Sequence, residues 1–310
     1  MKKILIFGTG EGGLNFIKNT PNQYNYLAFV DNNPTKWGEI LNNLKIISPK
    51  EITAYNYDEI VIASYWASSI QKQLINDYGI NEEQIFIPPK EMLMHISQPF
   101  QDKNTINFAQ DIITLFSKEA INADIPLFVN NGTLLGIIRD NKILSWDSDI
   151  DLAILYDNIL QIDMESFILK TIKKLDLTQI NITVTKVIDN TKKVLSYKID
   201  FHKNNCLPFP LSIEYMSIEN EYVIEMVSLG QFKVPKKHIL SLDRYVFFNQ
   251  TIYIPNQVEE YLSFIYGNDW KTPKKNISFN DYNNYNEVSK DIIFQANIKQ
   301  LEIFKNEIKE

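Results

Sequence analysis

The sequence predicts two domains: an α/β, doubly wound N-terminal domain followed by an α+β domain. Three observations support this. Apolar runs alternate with helical segments up to about residue 90, the proline-containing stretch from Pro88 to Pro99 interrupts that alternation, and short apolar runs then follow one another with little helix between them. With 310 residues the chain is long enough for two cores. We place the domains at residues 1–98 and 99–310.

The first domain alternates strands and helices. Lys3–Phe7 is a short apolar run that predicts a strand, and a helix is expected from Leu14 onward. Further strands are predicted at Tyr26–Val30, Glu59–Ser64 and Gln84–Ile87. Strands joined by helices favour a parallel sheet with helices on both faces.

A glycine pattern, Gly8-x-Gly10-x-x-Gly13, lies between the first strand and its helix. The first glycine permits a tight turn, the second lets a pyrophosphate approach the backbone, and free N–H groups at the helix start hold the anion. Asp31 ends the second strand, where a ribose-binding carboxylate would lie. The pattern predicts a site for a nucleotide, either NAD or a nucleotide-sugar, and Asp31 favours NAD over NADP because it would repel a 2′-phosphate.

This glycine run, together with Phe29–Pro34, resembles the small Rossmann-type domains attached to bacterial sugar-modifying enzymes. The resemblance implies a Rossmann-like fold but no single activity. Hydride transfer is not expected, because the sequence shows no tyrosine–lysine pair at the spacing of short-chain dehydrogenases. A scaffold whose glycines serve only strand–helix packing stays open as the alternative.

The second domain mixes helices and strands without regular alternation. Helices are predicted at Asn107–Ala120, Met164–Lys174 and Val258–Tyr266, strands at Thr183–Val187, Val194–Phe201, Leu211–Met216 and Tyr222–Met226, and a polar closing helix from about Glu287 to the end.

An acid–hydrophobe–acid pair marks the candidate active site. Asp149 and Asp151 lie just before the apolar run Leu152–Leu155, which predicts a buried strand. Residues two apart on a strand point to the same face, so the two carboxylates lie side by side with Ile150 turned into the core. Paired carboxylates suit a hard cation, Mg²⁺ or Mn²⁺, and such a metal is what phosphoryl or nucleotidyl transfer requires.

Residues upstream of the acid pair fit phosphate binding. Gly132 and Thr133 would begin a helix whose N-terminal amides face donor phosphates, with the threonine hydroxyl as a further donor. Arg139 is the candidate phosphate clamp, because its planar guanidinium binds phosphate oxygens in pairs. Asp147 is expected in the outer shell of the metal.

The run from Asn131 to Leu155 resembles the LicD family, including its fukutin-type branch. A second match, Ile252–Pro273, resembles the family's closing segment of strand, proline, helix and Tyr-Gly-x-x-Trp. The resemblance implies a nucleotidyltransferase-like fold and transfer of a phospho-alcohol from a CDP-activated donor to a glycan hydroxyl, as in bacterial capsule or lipopolysaccharide modification.

A third carboxylate is expected on a neighbouring strand, and two candidates exist. Glu214 lies in the predicted strand Leu211–Met216, and Asp200 lies in Val194–Phe201. The family normally has an aspartate here, and its strand order favours Glu214 over Asp200. The third metal ligand, and the base that accepts the acceptor's proton, is therefore expected to be Glu214, with Asp200 as the alternative.

Composition and charge limit the partners. The net charge of −7 argues against a general nucleic-acid binder. One cysteine, Cys206, excludes an internal disulfide. The apolar run Ile4–Phe7 after Met1-Lys-Lys is too short for a signal peptide or a membrane span, so a cytoplasmic location is expected.

Two other functions fit the same residues. A nucleotidylyltransferase would use the same acid pair to transfer a nucleoside monophosphate from a nucleoside triphosphate. A non-catalytic regulator would sense a nucleotide through the first domain. Because each domain carries its own predicted phosphate-binding helix start, we expect two separate ligand sites.

Overall fold

The computed structural model describes residues 1–64, 66–93, 98–156, 162–227, 230–274, 282–287 and 298–306. The chain divides into two compact units. The first unit comprises Met1–Ile96 and Lys274–Asp281, and the second comprises Ser97–Pro273 and Tyr282–Glu310. The domain limits given above, 1–98 and 99–310, remain a prediction. So does the role of the proline-containing stretch from Pro88 to Pro99 as the boundary, and part of that stretch lies outside the described residues.

The first unit contains a mainly parallel six-stranded sheet in the order β3-β4-β2-β1-β5-β6. Its strands are β1 (Lys2–Phe7), β2 (Tyr24–Val30), β3 (Ile40–Leu41), β4 (Leu44–Ile47), β5 (Glu59–Ile62) and β6 (Ile85–Phe86), and its helices are α1 (Glu11–Asn19), α2 (Ala67–Tyr78) and α3 (Lys90–Leu93). All pairs are parallel except β3–β4. The four predicted strands are confirmed, and helix α1 begins three residues before the predicted Leu14.

Both faces of this sheet are covered. Leu5 and Phe7 of β1 belong to one hydrophobic cluster, which also holds Ile70 of α2, whereas Ile6 belongs to a second cluster with Phe16 of α1. Successive residues on a strand point to opposite faces, so a central strand covered on both sides reads as a continuous apolar run. The predicted α/β, doubly wound arrangement is confirmed, and its topology is Rossmann-like.

The second unit is an α+β assembly around an eleven-stranded sheet, whose main path runs β14-β15-β7-β8-β11-β10-β9-β17. Its strands are β7 (Phe128–Val129), β8 (Ile150–Leu155), β9 (Ile180–Ile188), β10 (Val194–Lys203), β11 (Phe209–Glu219), β12 (Tyr222–Val227), β13 (Gly230–Pro235), β14 (Leu242–Phe247), β15 (Gln250–Pro255), β16 (Tyr285–Glu287) and β17 (Lys299–Lys305). Its helices are α4 (Lys103–Asn122), α5 (Asn131–Asp140), α6 (Met164–Ile172) and α7 (Val258–Tyr266). Strand β11 pairs with β8 and β10 along its first part and with β12 at its end.

Helix α4 begins earlier than predicted, at Lys103 instead of Asn107. The side chain of Asp102 accepts hydrogen bonds from the Thr105 amide (2.8 Å) and hydroxyl (2.7 Å) and so caps the helix. Phe108 is buried on this helix and contacts the ring of Phe209 edge-on, with centroids 5.6 Å apart. The buried side chains of this helix therefore lie on the core of the second unit.

The predicted closing helix is wrong where the structure describes it. Lys299–Lys305 forms β17 and pairs antiparallel with β9, and residues 288–297 and 307–310 lie outside the described part of the chain. Ile303 and Phe304 pack against the core. Pairing with the open side of β9 provides ladder hydrogen bonds and covers apolar surface, and this tertiary contact overrides the local helical pattern.

Candidate functional site

The acid pair lies where the sequence predicted it, at the start of β8. Asp149 directly precedes the strand, Ile150 is fully buried, and Asp151 is half-buried. Each carboxylate has a serine hydroxyl nearby. Ser148 Oγ lies 3.3 Å from Asp149 Oδ1, and Ser212 Oγ lies 3.3 Å from Asp151 Oδ1.

Negative charge is concentrated around Asp151. Burial raises the pKa of its carboxyl well above the usual range, and the charges of Asp149, Asp147, Glu225 and Glu214 raise it further. Carboxylates this close repel one another unless a proton or a cation compensates them. The donor set consists of oxygens only, which is the ligand type that Mg²⁺ and Mn²⁺ prefer.

The strand registers place Glu214 in this cluster. In the parallel pair β8–β11, Asp151 lies opposite Ser212 and Ala153 lies opposite Glu214, so Glu214 shares the face of Asp151. Burial raises the pKa of Glu214 well above its usual range, and Glu225 and Asp149 raise it further, while hydrogen bonds from Ser212 and Ser196 act in the opposite direction.

Asp200 lies on the same face but at a different position. It is opposite Pro210 in the antiparallel pair β10–β11, and its side chain is 29% exposed and forms an ion pair with Lys198 at 2.9 Å. Asp200 is not among the charges that raise the pKa of Asp151. Of the two sequence candidates, the structure brings Glu214, and not Asp200, toward the acid pair.

Glu225 on β12 belongs to the cluster and was not identified from the sequence. It is 2% exposed, and burial raises its pKa to about 7, against the effect of hydrogen bonds from Asn131 and Asn130. Antiparallel pairing sets Glu225 opposite Met216 of β11. The sequence does contain an indication of this role. Glu225 interrupts the apolar run Tyr222–Met226, and an acidic residue in a buried strand needs specific partners.

Helix α5 begins beside the cluster, and Gly132 in its first turn has a steric reason to be glycine. A Cβ at this position would overlap the carboxylate oxygen Oδ2 of Asp147. Asp147 therefore lies against the helix start, where the helix dipole favours negative charge. Its charge also raises the pKa of Asp151, so Asp147 lies close to the acid pair.

The predicted role of Thr133 is wrong in one respect. Its side chain is fully buried, and Oγ1 accepts a hydrogen bond from the Asp151 amide at 2.9 Å. The hydroxyl faces β8 and joins α5 to the acid pair; it does not face outward toward a donor phosphate. Thr133 therefore helps to position Asp151 through a buried hydrogen bond and is not itself exposed to a ligand.

Arg139 is not an open phosphate clamp in this structure. Its Nε and one terminal nitrogen donate to the two carboxylate oxygens of Asp140, at 3.0 and 2.9 Å, and the Arg139 side chain is only 6% exposed. Its guanidinium also lies over the ring of Trp146, 5.6 Å from the centroid. The neighbouring carboxylate satisfies the paired donors that were expected to bind phosphate.

In the first unit, packing explains two of the three predicted glycines. Gly8 has φ +124°, and a Cβ there would lie 2.6 Å from the Ala63 carbonyl oxygen. A Cβ on Gly13 would overlap the Gly8 carbonyl oxygen. Among the described residues, no atom lies within 4 Å of a Cβ built on Gly10, so their packing does not explain this glycine.

Asp31 lies at this loop, but its carboxylate already has partners. It accepts hydrogen bonds from the Thr9 hydroxyl, from the Asn33 amide at 2.8 Å and from Lys36 Nζ at 3.0 Å. Burial acts to raise its pKa, yet these hydrogen bonds and the lysine charge lower it overall. Lys36 offsets the negative charge that was expected to discriminate against a 2′-phosphate.

Two features are absent from the described residues. No group of three His, Cys, Asp or Glu side chains is arranged there as a ready metal site. Among the helices that the structure describes, none combines the length and apolar character needed to cross a membrane.

Comparison with known families gives two matches. Residues 124–257 match the nucleotidyltransferase domain of the LicD/FKTN/FKRP family, and residues 1–86 match the C2185-like N-terminal domain. The LicD match contains the Gly-Thr motif, the acid pair and both buried glutamates. It supports an enzyme of the transferase class. Comparison with curated proteins gave no match.

Two solved structures that this chain resembles show weak likeness. UDP-D-quinovosamine 4-dehydrogenase from Vibrio fischeri is 19% identical over 27% of this chain and 73% of its own, with a TM-score of 0.22. Scyllo-inositol dehydrogenase from Lactobacillus casei is 10% identical over 82% of each chain, with a TM-score of 0.25. Similarity at this level says nothing of the function of this chain.

Proposed function

We propose that this protein is a metal-dependent transferase of the LicD type, in its fukutin-like branch. It would move a phospho-alcohol from a CDP-activated donor to a glycan hydroxyl in bacterial surface polysaccharide synthesis, in the cytoplasm. The observation that carries the proposal is the carboxylate cluster at the start of β8, which lies within the segment that matches the LicD family.

Asp149, Asp151 and Glu214 are the residues that would hold Mg²⁺ or Mn²⁺ on a nucleotidyltransferase-like sheet. The bound ion would neutralise charge that develops on the donor's phosphate oxygens. The mutual repulsion of these acids supports the assignment, because a cation relieves it. Since the described carboxylates are not yet arranged as a three-residue metal site, the side chains would have to draw together around the ion.

The chain's own groups supply the remaining chemistry. Thr133 holds the Asp151 backbone, and the start of α5 faces the same cluster. Glu214, whose pKa is raised by burial, is the proposed base. It would accept the proton of the acceptor hydroxyl as that oxygen bonds to the donor's alcohol-bearing phosphorus. The bond from this phosphorus to the CMP oxygen breaks, and CMP leaves.

The test is CMP release from CDP-linked alcohols in the presence of Mn²⁺ and a glycan acceptor. The double variant Asp149→Asn, Asp151→Asn should lose activity by orders of magnitude, because metal ligands act as one unit. Asp200→Asn is the matched control: it removes a carboxylate from the same face but outside the cluster, and it should retain activity. Full turnover by the double variant would overturn the proposal.

The same assay separates the alternative. Transfer of a nucleoside monophosphate from a triphosphate would use an equivalent site, because residues 124–257 match a nucleotidyltransferase domain. Pyrophosphate release from an NTP, without CMP release from any CDP-alcohol, would assign that activity.

For the first unit we propose a nucleotide site, for NAD or a nucleotide-sugar, at the loop that contains Gly10. No described residue fills the space beside Gly10, and this supports the proposal, because a phosphate could approach the start of α1 there. If calorimetry showed nucleotide binding by this unit but no binding of Mn²⁺ or CDP by the protein, a non-catalytic sensor would be favoured instead.

A further inference from the structure

Glu225 receives hydrogen bonds on both carboxylate oxygens from two consecutive asparagines. Asn130 Nδ2 donates to Oε2 at 3.0 Å, and Asn131 Nδ2 donates to Oε1 at 3.1 Å. Glu225 is on β12, and the two asparagines lie where β7 passes into α5. The bonds therefore join two parts of the chain that are more than ninety residues apart.

Asn130 in turn holds the backbone of Asp151. Its amide N–H donates to the Asp151 carbonyl at 3.0 Å, and its own carbonyl accepts the Leu134 amide at 2.9 Å in the first turn of α5. With the bond from the Asp151 amide to Thr133, both backbone polar groups of Asp151 are held by residues at the start of α5. Movement of Asn130 would therefore be transmitted to the acid pair.

A third element fixes the orientation of the Asn130 side chain. The hydroxyl of Tyr261, on α7, donates to Asn130 Oδ1 at 2.7 Å, and both residues are buried. This bond directs the Asn130 Nδ2 group toward Glu225. The network thus connects β12, α5 and α7 through one asparagine.

The chemistry of these bonds requires a carboxylate at position 225. Two amide NH₂ groups point at the residue, and only a carboxylate offers an acceptor oxygen to each. Glutamine would place its own NH₂ group against one of them. A buried carboxylate is also costly, so its presence at 2% exposure indicates a specific requirement.

We propose that Glu225 is a positioning residue that fixes the start of α5 against Asp151 and thereby sets the geometry of the acid pair. The assignment rests on the proposed function for its catalytic consequence, but the structural link can be measured without activity. In this role Glu225 acts through its hydrogen bonds with Asn130 and Asn131.

The test compares Glu225→Gln with Glu219→Gln, a control that makes the same change at an exposed position where β11 ends. In Glu225→Gln we expect faster amide hydrogen exchange in peptides covering residues 128–140, and kcat about 10- to 100-fold lower with little change in KM, as for other residues that orient metal ligands. The control should match wild type in both measurements.

The inference would be overturned if Glu225→Gln showed wild-type amide hydrogen exchange at residues 128–140 or a wild-type kcat. A merely structural role would lower Tm and leave the kcat of the folded fraction unchanged, which would also overturn it. If Glu225→Gln does not fold, Tyr261→Phe removes the other bond to the Asn130 side chain and must give the same local exchange change. If the wild type shows no transfer at all, the proposed function fails while the exchange measurement still decides the link.

Discussion

Replacing Gly132 by alanine should separate stability from function at the candidate site. Gly132 lies in the first turn of α5 without a positive φ, so alanine suits the backbone there and should stabilise the fold by about 0.4–1 kcal/mol. The added Cβ, however, overlaps the Asp147 carboxylate. Because that oxygen ends a rotatable side chain, Asp147 can move aside, and the net change in unfolding free energy should stay within about 1 kcal/mol of wild type.

The functional effect should be larger than the effect on stability. Asp147 is one of the charges that act on Asp151, so its displacement changes the electrostatics of the acid pair. For Gly132→Ala we expect Mn²⁺ affinity or transfer rate to fall about 10-fold or more, as when residues around metal ligands are changed. Urea unfolding gives the stability, and Mn²⁺ titration followed by electron paramagnetic resonance gives the affinity.

Gly136→Ala is the matched control on the same helix. A Cβ at Gly136 would lie 2.6 Å from the Lys142 carbonyl oxygen and 2.9 Å from Leu144 Cγ. These atoms are backbone and buried core, so the variant should lose about 1–3 kcal/mol of stability. Wild-type Mn²⁺ affinity and turnover in Gly132→Ala would refute the placement of Asp147 in the site. A stability loss as large as that of Gly136→Ala would refute the argument that its side chain moves freely.

Three further predictions follow from the same contacts. Gly10→Val should leave Tm unchanged but abolish the binding of a nucleotide by the first unit, measured by calorimetry, while CDP binding is retained. Gly8→Ala should instead lower Tm, because Gly8 has a φ of +124°, which is strained for alanine. The pKa of Asp31 is lowered in the folded state, so the ionised carboxylate contributes to stability above about pH 4, and this contribution is lost as the pH falls through the folded pKa. In urea unfolding, Asp31→Asn should therefore have a lower free energy of unfolding than wild type at pH 7, and the difference should shrink in acid. Arg139→Lys should lower the free energy of unfolding, measured in urea, by about 1–3 kcal/mol, because lysine cannot reproduce the paired bond to Asp140. A normal KM for the CDP-donor in this variant would agree with an Arg139 that does not clamp phosphate.

Local patterns in the sequence identified most of the first unit and the position of the acid pair. A buried parallel strand is a continuous apolar run, and the alternation around Ile150 needs only neighbouring residues, so both can be read without knowing the fold. The helix Val258–Tyr266 was predicted with its observed limits because it belongs to the closing segment that resembles the LicD family. The closing strand β17 was missed because its conformation depends on pairing with β9, more than a hundred residues away.

The hydrogen-bond partners of the predicted site residues were harder to predict from the sequence. Arg139 was assigned to phosphate because of its chemistry, but Asp140 is the next residue and takes both donors. Thr133 was assigned to a ligand, but the fold turns it toward Asp151. In both cases the residue type was informative about bonding capacity, while the identity of the partner depended on side-chain direction in the folded chain.

Strand β11 explains why the full carboxylate cluster could not be read from one motif. It pairs with β8 in parallel, which sets Glu214 near Asp151, and it pairs with β12 through the turn after Glu219, which sets Glu225 opposite Met216. A shift of one residue in either register would turn the corresponding glutamate to the other face of the sheet. The acid pair at β8 is therefore only part of the site. Strand β11 brings the carboxylates of β8, β11 and β12 to one face of the sheet, and their combined negative charge defines the site. Variants that shift the register of β11 against β8 or β12 should therefore affect the site even where they leave Asp149 and Asp151 in place.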